Sequence, residues 1–249
     1  MAQAKELEIS VVVPVHNEED NIFSLVTEIK DALKDKYKFE IVYVDDGSTD
    51  KTYSKLQEAM EKFPELRVIR HKKSCGQSQA VATGVRYAKA PVIATLDGDG
   101  QNDPADIPNM YAVHQAEDNP EKLMIAGHRH KRKDVTSKRY TSKIANAIRK
   151  RLLKDDTPDT GCGCKLFPRE AFMDMPRFDN MHRFLPALMI RGGGRVKSVH
   201  VNHRFREKGV SKYGFWDRFR ASAFDIIGVC WLMKRSSNPE VEIVTKTKK

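Results

Sequence analysis

Two periods of hydrophobic patterning alternate along the first hundred positions. Short β-branched runs at 9–14, 39–44, 66–69 and 92–96 have the length and composition of buried strands. The intervening segments, 18–33, 50–63 and 76–89, place apolar residues at helical spacing. Strands alternating with helices of this length predict βαβ units and a parallel sheet, with right-handed crossovers that bring the strand ends onto one edge. The second half is less regular. Pro104 is expected to start a helix after Asp103, 123–126 to form a strand, 140–153 an amphipathic helix and 155–163 a loop. Gly192 to Gly194 should end a helix ahead of a strand at 195–201. A last helix is expected over 215–234, with apolar residues at 215, 219, 223, 226, 230 and 233 and two tryptophans, Trp216 and Trp231. Core packing and a position in a membrane interface both account for that stripe. The organisation expected is a domain over 1–214, the helix, and a polar tail over 235–249.

Composition narrows the classes. At 249 residues with 40% hydrophobic and 31% charged positions, the chain suits one large globular α/β domain. Four cysteines in this length make no disulfide framework, and Cys162-Gly163-Cys164 lacks a second ligand pair at zinc spacing, so reduced thiols are expected. The first eight residues have no apolar core of a signal peptide, and no stretch reaches the roughly 18 apolar residues of a membrane span. A cytoplasmic protein, peripheral on a membrane, is the expectation. The net charge of +10 points to an anionic partner. Between His128 and Lys154 eleven Lys or Arg face a single acid, Asp134. Only Tyr140 is aromatic there and no nucleic-acid module is visible, which favours phosphate over nucleic acid.

The acidic residues concentrate where the strands should end. The run 91–96 stops at Asp97-Gly98-Asp99, with Gln101 two residues on. Two carboxylates and an amide oxygen at this spacing can hold a divalent cation, and the glycine would let the backbone turn between the acids. The same residues are also ordinary turn chemistry. Asp45 and Asp46 precede Gly47 after the second strand, where Ser48 or Thr49 is expected to cap the next helix. Capping leaves two successive acids unexplained, and a carboxylate there can accept from a nucleobase or a ribose hydroxyl. Pro14 to Glu18 is one wall of that pocket or a turn with Asn17 as helix cap. Arg206, Lys208, Ser211 and Lys212 form a basic, glycine-containing loop that composition alone would read as a surface turn. His182 reads as a structural histidine.

Taken in order, Val-Val-Val-Pro-Val-His-Asn-Glu18, Val-Asp-Asp-Gly-Ser-Thr-Asp50, Gly76-Gln-Ser-Gln-Ala80 and Leu-Asp-Gly-Asp-Gly-Gln-Asn-Asp-Pro104 resemble the family-2 glycosyltransferases of GT-A fold. Within them the similarity is greatest to polyprenyl-phosphate (dolichol-phosphate-type) glycosyltransferases, over about residues 8–214. The resemblance implies a Rossmann-like, mostly parallel sheet flanked by helices. It also implies inverting transfer from a GDP- or UDP-linked sugar to a polyprenyl phosphate, and the alternative is a polysaccharide or other hydroxyl acceptor. It places Pro14, Asn17, Glu18, Asp45, Asp46, Asp97 and Gly98 around the nucleotide sugar, and Mg²⁺ or Mn²⁺ on Asp97, Asp99 and Gln101. The lipid phosphate would meet Arg129, Arg139, Ser142, Arg206 and Lys212. Asp97, Asp99, Arg129, Arg206 and Lys212 form the implied catalytic set. His16 and Asp159-Thr-Gly-Cys-Gly-Cys-Lys165 depart from the family's usual pattern. Many relatives carry carboxy-terminal membrane spans, so membrane attachment would fall to the 215–234 helix or to a partner; a membrane-protein partner or a homo-oligomer is the expectation.

Overall fold

The computed structural model describes residues 6–129, 153, 155–205, 215–237 and 239. Its centre is strand β1 (Ile9–Val15), every residue of which is buried. Seven strands form one sheet in the order β3-β2-β1-β4-β6-β5-β7. β2 (Phe39–Asp45), β3 (Leu66–Arg70) and β4 (Val92–Thr95) join β1 in parallel. β5 (Leu123–Arg129) and β7 (Arg195–Val201) pair parallel to each other. Between these two groups lies β6 (Lys165–Pro168), antiparallel to both β4 and β5.

Because side chains alternate across a strand, the sheet feeds two cores. Val11, Val13, Ile41, Tyr43 and Ala94 face helices α1 (Ile22–Leu33), α2 (Thr52–Lys62) and α4 (Ile107–Gln115). Val12, Val42, Ile93, Met124 and Phe167 face α3 (Gln77–Tyr87), α5 (Arg169–Met173) and α6 (Leu185–Arg191). The last helix, α7 (Phe215–Lys234), lays Ile226, Val229, Cys230, Leu232 and Met233 against this second core. Its Phe224, Ile227 and Trp231 stay 79%, 69% and 60% exposed. Among the described residues no helix is long and apolar enough to cross a membrane.

The elements differ from the sequence expectation in three places. No element is expected at β6 from the sequence, because four residues ending in proline, Lys-Leu-Phe-Pro, are too short to show a period. Helices α1 and α2 start at Ile22 and Thr52, later than expected, and neither has a side-chain cap. The expected caps are bonded to each other instead. Ser48 Oγ accepts from the Asn17 amide at 2.9 Å, and Asn17 Oδ1 accepts from the Thr49 amide at 2.7 Å. Asn17 adopts φ +54° to do so, a conformation asparagine tolerates. The expected helix at 140–153 lies outside the described residues apart from Leu153.

Phe167 is fully buried on β6 and stacks on Phe172 with centroids 5.3 Å apart. Phe167→Ala should therefore destabilise the chain by about 3–5 kcal/mol. A thermal melt should read this as a fall of roughly 10 °C or more; an unchanged melting temperature would contradict the placement of β6.

Candidate functional site

The register of the parallel strands brings their carboxyl ends to one edge, the ligand edge of an open α/β sheet. Val15 pairs with Asp45, Asp45 with Arg70, and β4 runs out beside Val12 just ahead of Asp97. The four loops after β1, β2, β3 and β4 therefore meet, and the acidic candidates lie in them or, for Asp45, at the last residue of β2.

Asp45 is fully buried. Its Oδ1 accepts from the Ser48 amide at 3.0 Å. Oδ2 lies 3.1 Å from Arg70 Nε as an ion pair but receives no aligned hydrogen bond, so this buried oxygen keeps acceptor capacity. Arg70 is held over the Tyr53 ring at 4.0 Å.

Asp46 is different. Its Oδ1 accepts from the Cys75 amide at 2.8 Å and meets His71 Nδ1 at 2.7 Å, while Oδ2 accepts from Ser74 Oγ and the Gly76 amide, both at 2.8 Å. Burial alone would raise its pKa, but these four bonds outweigh it and hold the carboxyl below its usual value. Asp46, His71 and Cys75 offer ligand atoms within 4.8 Å of one another. Both carboxylate oxygens are already filled, however, and the trio works as a hydrogen-bonded hub that shapes the loop leading into α3. The sequence placed Asp46 beside Asp45 as a ligand contact; what it could not show is that the 71–76 loop folds back onto it.

Asp97 sits at the meeting point of three loops. Its amide donates to Asn102 Oδ1 at 2.8 Å and its Oδ1 accepts from Gln77 Nε2 at 2.8 Å. On its far side a Cβ built on Gly163 would overlap the Asp97 carboxylate, so any side chain there would have to displace it. Gly163 is itself pinned, since its carbonyl accepts from Thr95 Oγ1 at 2.7 Å. The buried Lys165 donates to the carbonyls of Thr160, at 3.2 Å, and Cys162. Gly98 also serves close packing: a Cβ there would meet Val15 Cγ1 and stand 2.9 Å from the Pro14 carbonyl. The turn expected of Gly98 belongs to Gly100, at φ +74°. Asp99 Oδ1 accepts from the Gln101 amide at 3.1 Å.

Burial, followed by the charge of Asp99, raises the Asp97 pKa to about 6, against the opposing pull of Lys165, Arg129 and Gln77. Two carboxylates and an amide oxygen form a hard-oxygen donor set, and the site carries the mutual repulsion that a divalent cation would relieve. The residues fit Mg²⁺ or Mn²⁺.

Arg129 ends β5 and makes a two-pronged pair with Asp159, Nε to Oδ2 at 2.6 Å and Nη2 to Oδ1 at 2.7 Å. Only 12% of its side chain is exposed. It lies close enough to lower the Asp97 pKa, but two of its donors are committed to Asp159. Nothing in the spacing of Arg129 and Asp159 announces that pair. His182 meets Ser78 Oγ through Nδ1 at 2.7 Å and donates its amide to the same oxygen at 3.1 Å. Burial, then Arg183 and Lys165, lower its pKa to about 3, so it is a neutral tie between the start of α3 and the segment before α6. Arg139, Ser142, Arg206 and Lys212 lie outside the described residues.

Residues 10–175 match the family described as Glycosyl transferase family 2. The chain belongs to glycosyl transferase family 2. Dodecaprenyl-phosphate galacturonate synthase of Rhizobium johnstonii is 32% identical over 239 residues, covering 94% of this chain and 70% of the relative. Undecaprenyl-phosphate 4-deoxy-4-formamido-L-arabinose transferase of Shewanella sediminis is 31% identical over 210 residues, covering 83% of this chain and 62% of the relative. The chain thus spans about two thirds of the length of these relatives. A mannosyltransferase from Pyrobaculum calidifontis, solved with GDP-Man and Mn²⁺, superposes with a TM-score of 0.67 at 19% identity over 95% of this chain and 67% of that one. Glucosyl-3-phosphoglycerate synthase from Mycobacterium tuberculosis, solved with Mg²⁺ and UDP, gives 0.65 at 16% identity over 94% and 81%. These likenesses agree with the fold expected of this family-2 glycosyltransferase.

Two tests follow from the geometry. Gly163→Ala should displace the Asp97 carboxylate and weaken Mn²⁺ binding by about tenfold, read by isothermal titration; unchanged affinity would remove the cradle from the account. With the metal-free Asp97 pKa near 6, cation binding must displace a proton below that pH. Mn²⁺ affinity should therefore rise from pH 5 to 7 and flatten above, with proton release detectable at pH 5.5 in buffers of different ionisation enthalpy. Affinity independent of pH would contradict the raised pKa.

Proposed function

We propose that this glycosyltransferase moves a sugar from a nucleotide sugar to a polyprenyl phosphate, giving a polyprenyl-phosphate monosaccharide. The observation that carries the reading is the convergence of a buried carboxylate with open acceptor capacity, Asp45 Oδ2, and the Asp97-Asp99-Gln101 oxygen set on one sheet edge. The first suits a nucleoside and the second a metal-bound diphosphate. Both curated relatives act, by name, on polyprenyl phosphates.

In this reading Asp45 orients the nucleoside, with Pro14, Asn17 and Glu18 alongside. Gly98 lets the acid loop press against β1, and Asp46 keeps the 71–76 loop in place beneath the donor. A bound Mg²⁺ or Mn²⁺ would supply charge neutralisation for the departing nucleoside diphosphate. A phosphate acceptor is already anionic at neutral pH, so it needs positioning rather than a general base. Arg129, Arg139, Ser142, Arg206 and Lys212 are the cationic and hydroxyl groups assigned to that task. Direct displacement inverts the anomeric centre.

The acceptor's lipid brings the protein to a membrane surface, on the cytoplasmic face. The 1–214 domain would carry the chemistry, the 215–234 helix the surface contact, and 235–249 a tail. Phe224, Ile227 and Trp231 share the uncovered side of α7, and Lys234 and Arg235 follow them, the arrangement of an interfacial helix.

The test is incubation of the chain with a polyprenyl phosphate, a panel of UDP- and GDP-sugars and Mn²⁺. One donor should give a glycolipid, and Asp99→Asn should cut its formation by at least about 100-fold. Transfer to a soluble sugar hydroxyl with no glycolipid from any donor would overturn the acceptor assignment.

A further inference from the structure

The chain that leaves β7 does not turn away into solvent. Residues 202–204 fold back across the metal loop and bond to it at nearly every position. Asn102 and His203 form an antiparallel bridge. The Arg204 amide donates to the Gln101 carbonyl at 3.0 Å, and Gln101 Nε2 returns a bond to the Arg204 carbonyl at 3.4 Å. The Asn202 amide donates to Asp106 Oδ2 at 2.7 Å, and its Nδ2 to Asp103 Oδ2 at 3.3 Å. The Arg204 guanidinium spans two acids, Asp103 of the metal loop at 2.7 Å and Glu28 of α1.

Each contact has a consequence for Gln101. The Arg204 carbonyl can only accept, so it takes the amide nitrogen of Gln101 and leaves Oε1 as the free end of that side chain. The Asn202 and Arg204 bonds to Asp103 fix the far end of the loop. An isolated, half-exposed ion pair would contribute little. A planar fork bridging two carboxylates from different elements, beside two backbone bonds, fixes geometry instead.

The geometry points to Arg204 as a positioning residue for the divalent-cation site, acting through the 202–204 strap to hold Gln101 with its oxygen turned toward the metal position. This rests on the glycosyltransferase reading only in taking Asp97, Asp99 and Gln101 as the cation's ligands. In sequence the strap is followed by Arg206 and Lys212, the residues assigned to the acceptor phosphate.

The experiment measures Mn²⁺ binding by the loss of free-ion EPR signal, without donor or acceptor, in the wild type, Arg204→Ala, Arg204→Lys and Glu28→Gln. Arg204→Ala should weaken binding by at least about tenfold. Arg204→Lys should recover part of it, because an ammonium still reaches one of the two carboxylates, whereas the backbone bonds are common to every variant. Glu28→Gln, which leaves the metal loop's own residues intact, should weaken binding by a few-fold with the metal-free melting temperature within a few degrees of wild type. Wild-type Mn²⁺ affinity in folded Arg204→Ala, or in Glu28→Gln should the former not fold, would overturn the proposal. No Mn²⁺ binding by the wild type would overturn it together with the metal site. Failure of glycolipid formation with the Mn²⁺ effects intact would remove only the acceptor assignment and leave this one standing.

Discussion

The confinement of the Asp97 carboxylate is the constraint on which the rest of the site depends. Backbone from the Gly163 segment closes one side, Gln77 from α3 another, and Asn102 fixes its amide. Enclosure and the nearby Asp99 raise the energy of the ionised form, which is why its pKa stands near 6. A carboxylate held in this state suits a cation, and the surrounding loops each supply one wall of that enclosure.

The fold explains how three distant segments reach one carboxylate. Parallel pairing of β1, β2 and β4 delivers the acidic loops to a common edge. The antiparallel β6 then carries the 160–164 segment back to the end of β4, where Thr95 catches the Gly163 carbonyl and Lys165 ties the segment from within. Asp46 plays the matching role after β2, with its carboxylate spent on the 71–76 loop that delivers Gln77.

Much of this was legible in the sequence, for a physical reason. Buried strands such as 9–14 and 39–44 announce themselves by β-branched runs, and acids directly after such runs must lie at the ligand edge whatever the details of the loops. Interactions between residues far apart in the chain leave no local signal. The Arg129–Asp159 pair spans 30 positions, the Gln101–Arg204 bond 103, and neither has a spacing that would reveal it. The swap of caps between Asn17 and Ser48 belongs to the same class: each residue had the chemistry expected of a cap, and the neighbouring loop outcompeted its own helix for it. β6 was hidden for a different reason, its four residues being too few to carry a period.

We propose that one edge of the sheet binds a nucleoside diphosphate through a cation held by Asp97, Asp99 and Gln101. The most direct measurement is calorimetric titration of UDP and GDP into the protein with and without Mn²⁺. One nucleotide should bind at least about tenfold more tightly with the metal present, and that gain should vanish in Asp99→Ala. Equal affinity with and without Mn²⁺, or a gain that survives Asp99→Ala, would contradict the account.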